Sequence, residues 1–174
     1  MRDFFRWLPL SMALLVIAMP GRGEEKGGFK IDVFKKTLDR SDQRFSSYYT
    51  SRRIDRLEGL KIVIKNQTFK PMPDGEMKWE MLNRKHYSST VESVSGTEKL
   101  NALRPAEAVE FVIGGVQTEG YRDSSSSTKD KVEWQIIIMQ GGKEVVKVNS
   151  TPAFDSLSSR AIKLDPPKQD PPKK

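Results

Sequence analysis

From Phe29 onward the apolar residues of this chain recur at every second position, the spacing that sets them on one face of a β-strand. No segment sustains the 3.6-residue period of a long amphipathic helix, so the pattern predicts an all-β domain. Leu60, Ile62 and Ile64 alternate with Lys61 and Lys65, and Met77, Trp79 and Met81 alternate with Glu76, Lys78 and Glu80. Both segments read as strands with one face in a core and one in water. Between them, Asn66-Gln67-Thr68 and Pro71-Met72-Pro73-Asp74-Gly75 supply turn chemistry, because proline denies a ladder its donor and Asp-Gly favours a tight reversal.

Farther along, Val109, Phe111 and Ile113 form an inward row, and Gly114-Gly115 suggests a bulge before Val116. Gln117 to Asp130, with serines at 124 to 127, reads as a mobile surface loop. In Lys131 to Gln140, Val132, Trp134, Ile136 and Ile138 share one face while Ile137 and Met139 make the other apolar too, which predicts a central strand. Gly141-Gly142 then reverses the chain into Lys143 to Asn149. A two-residue loop would set Ile136 against Lys147. A three-residue loop, Gly141 to Lys143, sets Ile138 against Val146 and Ile136 against Val148, and this register keeps the buried face apolar.

Phe29, Ile31 and Val33 add a strand at the beginning, Lys99 to Leu103 a short one, and Tyr87 to Val94 offers a further candidate. The expected fold is an immunoglobulin-like, two-sheet antiparallel sandwich of about seven strands spanning residues 28–164. Phe154, Leu157, Ala161 and Leu164 are spaced to cover one side of a short C-terminal helix. Asp165 to Lys174, with its repeated Pro-Pro-Lys, cannot build a core and reads as a disordered tail.

Composition changes the picture at the N-terminus. Arg2 and Arg6, the apolar stretch Trp7 to Met19 and the small-x-small Gly21-Arg22-Gly23 read as a secretory signal over residues 1–23. The apolar stretch is shorter than the ~20 residues of a membrane span, so no stable membrane insertion is expected after cleavage. The expected compartment is the periplasm or the exterior. Loss of Arg2, Arg6, Arg22 and Asp3 lowers the formal charge from +7 to +5, without the concentrated basic footprint that nucleic acid requires. The absence of cysteine removes disulfides, thiol nucleophiles and cysteine metal sites, leaving packing to supply stability.

The run Leu60 to Thr68, followed by Pro71 and by Met77-Lys78-Trp79-Glu80-Met81, resembles exported bacterial immunoglobulin-like domains of unknown function, as does Leu100 to Glu107 leading into Val109-Glu110-Phe111. In those domains a strand ends in an asparagine turn and leads into an aromatic-bearing strand. The resemblance covers roughly residues 57–151 and implies a fold but no active site. Antibody-type domains pack the strand tryptophan on a disulfide, which Trp79 here cannot have.

No catalytic site, metal site or cofactor is expected. His86, the sole histidine, reads as a solvated loop residue, and Glu76 and Glu80, i and i+4 on a strand, lie about 13 Å apart along the backbone, too far for a glycosidase pair without leaning. Trp79 and Trp134 read as core. Asn66 and Asn149 head sequons but sit where turn and strand-end residues are needed. The candidate ligand-binding residues are Arg44, Tyr48, Tyr49, Arg52 and Arg53, cations interleaved with aromatics that suit an anionic polymer or the edge of a partner. From Asp39 to Arg56 five arginines face three aspartates, a net of only +2, which also suits a solvated connector or charge-protected edge strand. The expected function is therefore an exported, non-enzymatic accessory or protein-interaction module with an envelope or extracellular partner. The alternative is a polyanion or envelope-surface binder using Arg44 to Arg56 and the basic tail.

Overall fold

A computed structural model describes residues 22–26, 28–44, 52–123 and 125–166. In chain order the strands are β1 (Arg22–Lys26), β2 (Phe29–Arg44), β3 (Arg52–Asn66), β4 (Gly75–Arg84), β5 (Val91–Leu100), β6 (Ala108–Arg122), β7 (Ser127–Lys129), β8 (Lys131–Gln140), β9 (Lys143–Asn149) and β10 (Ile162–Lys163), with one helix, α1 (Phe154–Ser158). They form two five-stranded sheets ordered β1-β2-β3-β6-β7 and β10-β5-β4-β8-β9, an all-β sandwich. Ten strands among the described residues replace the expected seven because β1, β7 and β10 are short additions to sheet edges. Residues 1–21 of the expected signal, the tail beyond Pro166, Tyr48 and Tyr49 lie outside the described residues, whereas Arg22 and Gly23, the last two residues of that expected signal, pair with Val33 and Asp32 at the start of β1. Among the described residues no helix is long and apolar enough to cross a membrane.

The alternating rows meet between the sheets as the pattern requires. Phe29, Ile31 and Val33 from β2 and Leu60, Ile62 and Ile64 from β3 pack against Met77, Trp79 and Met81 from β4, Ile136 and Ile138 from β8 and Val146 and Val148 from β9. Burial of each such large side chain contributes about 1.5–3 kcal/mol, which is how a chain without disulfides holds its sheets together. Trp79 needs room on two sides and finds it at glycines. A Cβ on Gly96 of β5 would come 2.5 Å from the indole, and one on Gly114 of β6 would come 2.8 Å from it. Gly114 and Gly115 form the expected bulge opposite Gly59, with Gly114 at φ +58° in the left-handed region that glycine adopts freely.

The β8–β9 hairpin pairs Ile136 with Val148 and Ile138 with Val146, the apolar register. Its turn differs from the expected three-residue loop. Gly141 and Gly142, both at positive φ, make a two-residue turn that pairs Gln140 with Lys143, and a register shift between Ile138 and Met139 leaves Val145 as the extra residue.

Three further expectations are corrected, and a fourth is decided between its two alternatives. Gln117 to Arg122 is strand, because β6 continues past its bulge along β3, and Ser127 to Lys129 folds back on it as β7. The turn between them is held by Asp123, whose carboxylate accepts from the N–H groups and hydroxyls of Ser125 and Ser126, and these bonds lower its pKa to about 2. Tyr87–Val94 and Lys99–Leu103 are not separate strands: β5 runs unbroken from Val91 to Leu100, and Leu103 makes an isolated bridge to Met72. Of the connector and the charge-protected edge strand expected over Arg40 to Arg56, the described parts, Arg40 to Arg44 and Arg52 to Arg56, are strand. In this half β2 is a charged sheet edge, since β1 covers only Phe29 to Val33, whereas β3 lies between β2 and β6. Finally, the helix stops at Ser158. Phe154 and Leu157 bury against Leu82 and Val91, but Ile162 and Lys163 pair with the open edge of β5, where Leu164 N–H donates to Ser93 O at 2.8 Å.

Candidate functional site

The polar centre of the molecule lies where the β4–β8 ladder closes, with Arg84 opposite Lys131. Asp130, between β7 and β8, turns its side chain fully inward. Its Oδ1 accepts from the backbone N–H of His86 at 3.0 Å and lies 2.8 Å from His86 Nδ1. Its Oδ2 accepts from Asn83 Nδ2 at 3.1 Å and from Glu119 N–H at 3.0 Å, and Lys85 Nζ stands 3.5 Å away. Burial pushes the Asp130 carboxyl upward, but the hydrogen bonds from His86, Glu119 and Asn83 outweigh it and hold the pKa below the usual aspartate value. An ionised carboxylate only accepts, so Nδ1 of His86 carries the proton. Asn83 donates a second time, to Gln117 O at 2.7 Å, so the cluster ties β4, the β4–β5 turn, β6 and the start of β8 into one unit. Burial lowers the Lys85 pKa, but Glu92 at 3.2 Å, with Asp130, more than restores it.

Sequence reasoning treats His86 as solvated, whereas its side chain is only 15% exposed and its ring sits edge-on to Tyr87 and tilted to Tyr121 at centroid distances of 5.1 and 5.6 Å. It also leaves Asp130 at the end of a loop. The one sequence signal for both is the pair of basic runs Arg84-Lys85-His86 and Lys129-Asp130-Lys131, which only strand pairing brings together. Beside the cluster opens a cleft of about 490 Å³ walled by Arg84, Lys129, Lys131 and Arg160 and by the turn residues Ser88 to Thr90.

The residues picked from the sequence are not gathered in one place. Arg53 commits its guanidinium to Asp55 at 2.9 Å and Glu119 at 3.1 Å. Arg52 is exposed and stands in register between Arg44 and Arg122 on the neighbouring strands. Tyr48 and Tyr49 fall outside the described residues. Glu76 and Glu80 do not converge on a substrate: Glu76 is exposed, and Glu80 accepts the Ser158 hydroxyl at 2.9 Å. Among the described residues no three His, Cys, Asp or Glu side chains gather as metal ligands.

A second feature is the outer edge of β6. β7 covers it only from Gly120 to Arg122, and Asn83 and Asp130 occupy Gln117 O and Glu119 N–H. From Ala108 to Val116 no strand pairs with that edge among the described residues. Val112 is 40% exposed there, and Val109 and Phe111 are half-buried.

No family model matches this chain, and no curated protein matches it. A crystal structure of a protein from Akkermansia muciniphila is similar at a TM-score of 0.34, with 10% identity over 84% of this chain and 86% of that one.

Proposed function

We propose that this protein is an exported, non-enzymatic interaction module of immunoglobulin-like fold that takes an extended segment of an envelope or extracellular partner onto the free edge of β6. The observation that carries this reading is the contrast between sheet edges. The open part of β6 joins unpaired backbone to Val109, Phe111 and Val112, the combination that recruits another strand. By comparison, β9 is protected by Lys143, Glu144, Lys147 and a register shift, and the open part of β5 carries Thr97, Glu98 and Lys99. The immunoglobulin-like assignment is supported by the packing of β2-β3-β6 against β5-β4-β8-β9, in which the chain crosses between sheets after β3, β5 and β7. Export is supported by the N-terminal pattern of basic, apolar and small residues.

The test places a photo-crosslinking amino acid at Val112 and, separately, at Val145 on β9, in cells producing the chain. A discrete adduct from position 112, weakened by Val109→Lys and absent from position 145, supports strand addition at β6. Equal adducts from both positions, or none from 112, overturn it.

A further inference from the structure

The cleft beside Asp130 lies apart from the β6 edge and has its own chemistry. Arg84 and Lys131 face each other directly across β4 and β8, an arrangement that destabilises a sheet when both are charged. Lys129 comes from β7 and Arg160 from the turn after α1, so four cations from separate elements line one space. The nearby carboxylates do not cancel them. Asp130 is turned inward onto His86, Asn83 and Glu119 N–H, and Glu92 is engaged by Lys85. Glu133 holds Lys131 at 2.8 Å but leaves that lysine 64% exposed, and Arg84, Lys129 and Arg160 have no carboxylate partner among the described residues.

The rest of the wall is Lys85, His86 and Val91 together with the Ser88-Ser89-Thr90 turn, whose hydroxyls can donate. Arginine and lysine donors joined by hydroxyls, with no acid exposed among them, form a lining for tetrahedral oxyanions. A volume of about 490 Å³ falls within the span of small-ligand sites and exceeds what one such anion fills. We propose that this cleft binds a phosphate or sulfate ester carried on a small soluble molecule, with Arg84, Lys131 and Arg160 holding the anionic group. The buried Asp130 fixes the Lys85-His86 turn that shapes the wall, so the site is pre-formed rather than assembled on binding.

The test is an amide-resolved NMR titration of the purified chain with glucose 6-phosphate, glucose 6-sulfate and glucose. Saturable shifts confined to Arg84–Val91, Lys129–Lys131 and Arg160, with either ester but not with glucose, are the expected result, and the tighter ester identifies the group recognised. Arg84→Gln combined with Arg160→Gln, both surface changes that keep the spectrum folded, is expected to weaken binding at least about tenfold by removing two charge-assisted contacts. Arg52→Gln leaves it unchanged. The proposal is overturned by no saturation with either ester up to about 10 mM, by equal affinity in the double variant, or by shifts centred on Arg52 and Arg122.

Discussion

Asp130 holds His86 by two bonds at once, one oxygen accepting the backbone N–H at 3.0 Å and the ring Nδ1–H at 2.8 Å. This double grip ties the β4–β5 turn to the start of β8 and sets the ring against Tyr87 and Tyr121. Because Asn83 and Glu119 N–H share the other oxygen, removing the carboxylate orphans donors on three segments. Asp130→Ala is therefore expected to cost about 3–5 kcal/mol, the range for removing one partner of a buried charged pair. Urea unfolding followed by tryptophan fluorescence measures it, and a loss below about 1 kcal/mol contradicts the assigned network.

The same group makes the fold acid-sensitive. Its folded pKa lies below the ordinary aspartate value, so its contribution is complete above about pH 5 and is lost as pH falls through about 4 toward the native value. Glu133 shifts in the same direction: burial raises its pKa, but bonds from Lys131 and Ser150 outweigh it. Unfolding free energy should thus decline from about pH 5 to about pH 3, and less steeply in Asp130→Asn. Parallel slopes for the two chains would remove Asp130 from the explanation.

Gly96 and Gly114 are expected to be intolerant of any side chain. A methyl at either position meets the Trp79 ring, which is wedged between the sheets, and Gly114 also sits at φ +58°. Gly96→Val and Gly114→Ala should each destabilise by about 1–3 kcal/mol or more through overpacking. Gly142→Asn, which meets open space and keeps a residue tolerant of positive φ, should stay within about 1 kcal/mol. Thermal melts of the three variants read this order directly.

Asn66 anchors the β3–β4 loop from inside. Its amide donates to Lys70 O, Leu103 O and Arg104 O at 2.8, 3.2 and 3.1 Å, and its Oδ1 accepts from Thr68 N–H and Thr68 Oγ1, both at 2.8 Å. Asn66→Ala should cost about 2–3 kcal/mol by leaving buried groups unpaired. Phe69, the next residue after Thr68, is 99% exposed and should be replaceable by Ser within about 0.5 kcal/mol. Chemical denaturation of the two variants compares them, and a reversed order of the losses would refute the account of this loop.

Much of the fold can be read along the chain because alternation is a local property. Leu60-Ile62-Ile64 and Met77-Trp79-Met81 bury the face that their spacing selects, and the Ile136–Val148 pairing follows from the need to keep that face apolar. Where the apolar signal weakens, the reading stops short. Gln117 to Arg122 is polar enough to resemble a loop, yet it is strand because β3 offers it a ladder on one side. Ile162 leaves the helical pattern for the same reason, since β5 presents an unpaired edge.

The candidate site is legible in the sequence only as composition. Arg84 and Lys131 are 47 positions apart, as are Asn83 and Asp130, and nothing local marks either pair. The β4–β8 register brings the cations together, and burial makes Asp130 the acceptor around which the turn is built.

By itself the amino-acid order determined that the chain makes strands, which side chains face the core, and that packing rather than disulfides closes the sandwich, because periodicity and cysteine content need no partner to be read. Tertiary structure alone decided which strands are neighbours, which sheet edge stays open, and which charges are neutralised. Those properties depend on contacts between distant segments, and a charge such as that of Arg53 or Arg84 acquires its role only from the carboxylates that folding brings to it or keeps away.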